Sequence, residues 1–190
     1  MQRFGREFAK RRIANIATLE RALGVAALPL SATSRPTAYR TIRAGGKVTI
    51  FTVGYEKRDG EGLVSLLVDA GIQLLADIRE KPMSRVPDFR AAALRGFCEN
   101  AGIEYRGWPA LGSTEKLREE LKATGDFKRF ESAFRIHVIR SGQHALEELA
   151  AAARKKSTAL LCYERFHEEC HRSTVAELLA DILDAGIVAI

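Results

Sequence analysis

Residues 48–78 read VTIFTVGYEKRDGEGLVSLLVDAGIQLLADI, and this stretch decides the fold. Val48–Val53 is a short β-branched run stopped by Gly54. Leu63, Leu66, Leu67 and Ala70 then recur on one helical face, with Asp59 as its cap and Gly71 as its stop. Leu74–Ile78 is a second apolar run. Strand, helix and strand in that order call for parallel strands joined by a crossover helix.

The same alternation continues downstream. Pro82 and Pro87 mark a loop, and Phe89–Ala101 reads as a helix with Leu94, Phe97 and Cys98 inward, closed by Gly102. Ile103–Tyr105 is a third, short strand, and residues 115–122, 127–140 and 143–155 are helical in pattern. Thr158–Cys162 is a fourth strand. Ser173–Ala185 is the closing helix, stopped by Gly186 before a last apolar run, Ile187–Ile190. The expectation is an α/β fold with three layers: a mainly parallel sheet of about four to five strands, with helices on both faces. It occupies residues 47–190, behind a basic N-terminal helical arm and linker over residues 1–46. No internal repeat or low-complexity tract interrupts it.

Composition narrows the class. The chain has 190 residues, 46% of them hydrophobic and 28% charged, which excludes bulk disorder. No apolar run approaches the roughly 18 residues needed to span a bilayer, so no membrane span is expected. Three cysteines, Cys98, Cys162 and Cys170, are too few for a disulfide scaffold, and a reducing cytoplasm is the expected location. The net charge is +6, but residues 1–47 alone hold ten Lys/Arg against Glu7 and Glu20, leaving the remainder at −2. The basic excess therefore belongs to the arm and not to the folded body. Within the arm, Phe8, Ile13, Ile16, Leu19 and Leu23 recur at helical spacing, and residues 29–46 have the Pro, Ser and Gly content of a linker. Such a start is similar to an organellar transit peptide, or to an arm drawn to nucleic acid or lipid; a solvated helix is the plainer alternative.

In open parallel sheets, ligands bind beyond the carboxyl ends of the strands. There the sequence puts Gly54, Tyr55 and Glu56, then Asp77, Arg79 and Glu80, then Arg106 and Trp108, then Cys162, Tyr163 and Glu164. Cys170, His171 and Arg172 arrive at the start of the last helix. These segments resemble the prokaryotic domain-of-unknown-function family 488 (DUF488). The likeness lies in Thr52–Glu56, Asp77–Arg79 with Pro82 and Ser84, Phe89 with Leu94, Gly102-Ile103 with Tyr105, Leu111-Gly112, Leu161–Glu164 and Cys170–Arg172. Ser113 stands where the family often repeats Gly, and residues 1–46 lie outside the likeness. The resemblance implies a fold and a site location, with no reaction attached.

Four chemistries compete for that edge. In the first, Arg79, Arg172 and Ser173 grip an anion beside a helix N-terminus, and His171, Glu164 and Asp77 act as acid/base and water-positioning groups. Tyr55, Glu56 and Cys170 are further ligand contacts; the alternative is a structural ion-pair network. In the second, Cys162, Cys170 and His171, with Glu164 near, hold a metal, although Cys-x7-Cys-His is not a standard zinc spacing and adjacent residues seldom share an ion. In the third, His167–His171 spells H-E-x-x-H, but in a loop, where a chance match is the better account. In the fourth, a thiol beside His171 is nucleophilic or redox-active, although no phosphatase-type Arg follows at the required spacing. Neither a P-loop nor a dinucleotide fingerprint occurs. Trp108 and Tyr105 could stack a base, or simply cover a core edge. The leading expectation is an anionic ligand, a nucleotide or nucleic-acid end, with hydrolysis left open. A non-catalytic nucleic-acid-binding or adaptor module and a metal protein are the rivals; cofactor and oligomeric state stay unassigned.

Overall fold

The structure, a computed structural model, describes residues 39–190. The arm helix expected over residues 6–23 lies outside the described residues. Among the described residues, six strands form one sheet: β1 (Arg40–Arg43), β2 (Thr49–Gly54), β3 (Leu74–Asp77), β4 (Glu104–Gly107), β5 (Thr158–Cys162) and β6 (Gly186–Ala189). Six helices accompany them: α1 (Gly60–Asp69), α2 (Ala91–Asn100), α3 (Glu115–Thr124), α4 (Phe127–Ser141), α5 (Gln143–Ala153) and α6 (Arg172–Leu183). None of the described helices is long and apolar enough to cross a membrane.

The strand order is β1-β6-β2-β5-β3-β4, parallel throughout except for β1, which pairs antiparallel with β6. Alternation along each strand sends neighbouring side chains to opposite faces. Phe51, Val53, Leu75, Ala159 and Leu161 meet α1 and α2 through Leu63, Leu67, Leu94 and Cys98. Ile50, Leu74, Ala76, Leu160 and Ile187 meet α4, α5 and α6 through Phe134, Val138, Leu149, Val175 and Leu179. Both faces are covered, giving the expected three layers.

The helix boundaries follow their caps. Asp59 accepts from the Gly62 amide at 2.7 Å, opening α1, and Gly71 at φ 66° carries the chain out of it. The end of α6 differs from expectation: Asp184 takes the left-handed conformation, φ 48°, and Gly186 begins β6.

The sequence reading missed β1, which falls in the stretch with linker composition. Its Arg40 and Arg43 are solvent-exposed and form ion pairs with Glu168 and Asp181, so it offers no apolar run to detect. A charged, short strand is a common way to finish a sheet edge. Gly45 and Gly46 then pass so close to the backbone of Ala185 and Asp184 that a side chain would not fit.

Strands β2 and β5 are neighbours, yet their crossovers leave on opposite faces, through α1 and α6 respectively. Their carboxyl ends therefore form the topological switch point of the sheet.

Candidate metal centre

At this switch point the two loops stay paired beyond the strands. The Tyr55 amide donates to Cys162 O at 3.2 Å, and the Glu56 amide donates to Tyr163 O at 2.9 Å. The Glu56 carboxylate accepts the Arg165 amide at 3.2 Å. Gly54 is required here, because a Cβ would collide with the carbonyl of Glu164. Residues 163–165 are thereby laid against the end of β2. Arg172, 1% exposed, holds the same loop from beneath: its guanidinium donates to the carbonyl oxygens of Glu164 and Arg165.

Cys162, last residue of β5, shares a sheet face with Leu160 and so points to the α6 side. The chain then makes a short 3-10 turn, His167–Glu169, and returns with Cys170 extended (φ −134°, ψ 140°) and His171 helical (φ −55°, ψ −18°). This change of direction turns two adjacent side chains toward one point.

The ligand atoms of Cys162, Glu164, Cys170 and His171 all lie within 4.8 Å of one another. The Cys162 thiol donates to Glu164 Oε2 at 3.2 Å; His171 Nδ1 lies 3.5 Å from Cys162 Sγ and 3.9 Å from Cys170 Sγ. A tetrahedral zinc with bonds of about 2.3 Å to sulfur and 2.0–2.1 Å to nitrogen or oxygen has donor–donor edges of roughly 3.3–3.8 Å. Three of the donor separations, 3.2, 3.5 and 3.9 Å, are near that range, and the widest in the cluster is no more than 4.8 Å. His171 Nε2 faces the Ile78 carbonyl at 3.3 Å, and the ring packs edge-on against Phe134.

Cys162, Cys170 and His171 are buried, and Glu164 is half-buried. Burial pushes the Cys170 thiol well up, reinforced by the Cys162 thiol. Burial also works against charge on Glu164, but contacts from Cys170, its own amide, Cys162 and His171 outweigh it and hold the carboxyl below its usual range. Burial likewise opposes the imidazolium of His171, yet Cys170, Glu164 and the Ile78 carbonyl together raise it.

The other residues singled out in the sequence have different partners. Asp77 is buried and accepts from Arg79 Nε at 2.8 Å, Arg79 Nη2 at 2.6 Å and Tyr105 Oη at 2.6 Å, so its oxygens are used within the protein. The remaining Arg79 nitrogen, Nη1, donates to Tyr55 Oη at 3.2 Å and to the Phe89 carbonyl at 2.8 Å. An oxyanion would have to displace Asp77 from this pair. Tyr55 stacks on Phe89 with ring centroids 4.4 Å apart. Ser173 does not cap α6 forward; its hydroxyl donates back to Cys170 O at 2.8 Å. Arg106 covers the buried Trp108 ring at 4.7 Å, and Tyr105 is buried too, so neither aromatic presents a face for stacking a base. His167 shares a 3.0 Å hydrogen bond with Thr52, on a different branch from His171, so the H-E-x-x-H spelling makes no common site.

Sequence reasoning missed the Ile78 carbonyl and Phe134. The first is a main-chain group, invisible to residue type, and the second comes from a helix 37 positions before His171.

No curated protein and no solved structure matches the chain. The profile of the family described as domain of unknown function DUF488 matches residues 60–179, well over half of the sequence and including the whole cluster, and the chain belongs to that family.

Proposed function

We propose that this chain binds a transition-metal ion through Cys162, Cys170, His171 and Glu164. The observation that supports the reading best is the mutual approach of four donors of suitable chemistry within 4.8 Å. Two thiolates, one imidazole and one carboxylate suit zinc or ferrous iron. The Ile78 carbonyl accepts a hydrogen bond from Nε2–H, which leaves the Nδ1 lone pair for the ion, the usual outer-shell arrangement of a metal histidine. With all four positions supplied by the protein, the site is of the closed, structural kind. The ion would fasten the end of β5 to the start of α6.

Elemental analysis of the purified chain, followed by cobalt(II) titration of the chelated protein, tests this. The expected result is near-stoichiometric metal, and cobalt spectra showing thiolate charge transfer with tetrahedral ligand-field bands. Cys162→Ser and Cys170→Ser lose both. Absence of metal, together with a cobalt spectrum unchanged by either substitution, overturns the proposal.

A further inference from the structure

We infer that Cys162 and Cys170 form a dithiol that hydrogen peroxide converts to an intrachain disulfide, which makes the pair an oxidation site as well as a ligand pair. The inference uses thiols of the cluster proposed above but does not require that a metal ever occupies it.

The geometry supporting this is independent of ligand chemistry. The two sulfur atoms lie within 4.8 Å, at the end of β5 and just before α6, with seven residues of chain between them. A disulfide requires these sulfurs to approach to about 2.0 Å, a short closure from their present separation. Both residues are fixed from outside the pair. Gly54 and Arg172 seat the loop between them, the Arg172 amide donates to Cys170 Sγ at 3.5 Å, and Ser173 binds Cys170 O. Glu164 is the one member of the cluster that is only half-buried.

The third cysteine is an internal control. Cys98 is fully buried on α2, against the opposite face of the sheet from Cys162 and Cys170. It has no sulfur partner among the described residues.

The chemistry balances in two steps. One thiol sulfur attacks peroxide, the O–O bond breaks, a sulfenic acid forms, and the departing oxygen leaves as water with the thiol proton. The second thiol then attacks the sulfenic sulfur, forming the S–S bond and expelling the second water. Two thiols are oxidised by two electrons and one peroxide is reduced. In a metal-loaded chain the same reaction removes both soft ligands together, so the ion is released as the disulfide forms.

The test is peroxide treatment of the full-length chain, both as purified and after chelation, followed by quenching, alkylation under denaturing conditions and mass spectrometry. The expected result is a fall in alkylatable thiols from three to one, with a single peptide pair linking Cys162 to Cys170 and with Cys98 alkylated. Dithiothreitol restores all three. Cys98→Ala still forms the link; Cys170→Ser does not, and leaves Cys162 trappable by a sulfenic-acid reagent. Independent over-oxidation of Cys162 and Cys170, a link to Cys98, or crosslinks between chains each overturn the inference. A chain that forms the link but never takes up cobalt leaves this inference standing and removes the metal proposal; cobalt uptake without the link does the reverse.

Discussion

The Nε2–H of His171 donates to the main-chain carbonyl of Ile78 across 3.3 Å. A carbonyl can only accept, so in the neutral imidazole this contact fixes the proton on Nε2 and turns the Nδ1 lone pair toward Cys162 and Cys170. Ile78 lies between Asp77 and Arg79, and the Asp77 carboxylate accepts both the Arg79 amide, at 3.1 Å, and its guanidinium, at 2.6 Å. The buried pair thus flanks the carbonyl that His171 meets, with the charges of Asp77 and Arg79 satisfied against each other.

Arg79→Met should destabilise the fold by about 3–5 kcal/mol, because it leaves the Asp77 carboxylate buried without its cation. The double variant Asp77→Asn/Arg79→Met should recover part of that loss, since the stranded charge is gone. Urea unfolding of the two single variants and the double variant reads the coupling directly; strictly additive losses would contradict the pairing.

His167 predicts an acid-sensitive window. Its pKa is depressed from 6.5 to about 4, by burial first and by Arg172 second. Between those values the unfolded chain takes up a proton that the folded chain refuses, so stability rises with pH across the window. The contribution is complete above about 6.5 and lost as the pH falls to about 4, amounting to about 3 kcal/mol at 1.36 kcal/mol per pKa unit. Chemical unfolding from pH 7 to pH 4 should therefore show a steeper decline in the parent than in His167→Gln. Parallel curves would exclude a buried neutral imidazole.

Two glycine substitutions should act in opposite directions. Gly54→Ala drives a methyl group into the Glu164 carbonyl, so it should cost about 1–3 kcal/mol and weaken cobalt binding without altering a ligand. Gly96→Ala, inside α2 with open space around its Cβ position, should stabilise by about 0.5–1 kcal/mol. Thermal melts, with cobalt titration of both variants, check the contrast.

Arg172→Lys keeps the charge but replaces a planar fork that serves two carbonyls with a single ammonium. Losing one charged hydrogen bond predicts about 1.5–3 kcal/mol of destabilisation. Residues 163–165 should also lose protection first in amide hydrogen exchange, since the fork ties that loop to α6. Unchanged exchange there would assign Arg172 elsewhere.

The strands and helices were legible in sequence because their signals are local. The apolar run Thr158–Cys162 was read with its observed bounds, and the Asp59 cap and Gly71 stop delimit α1 as expected. The charged strand Arg40–Arg43 was not, because an exposed edge strand carries no apolar pattern and is held by β6, far along the chain. Arg79 follows the end of β3 and Arg172 opens α6. Their partners were not legible, because Asp77 lies near Arg79 in any linear reading without its wrapping of the guanidinium being visible.

Taken alone, the order of residues settled the alternating α/β class, the parallel majority and the edge on which polar side chains gather, since each follows from periodicity and chain direction. Only the folded chain decided which of those side chains meet. Placing β5 beside β2 and reversing direction at Cys170 brings two thiols, a carboxylate and an imidazole together, while the two arginines are drawn into an aspartate and two carbonyl groups. Such pairings depend on ångström-scale distances between segments remote in sequence, and no spacing rule carries that information.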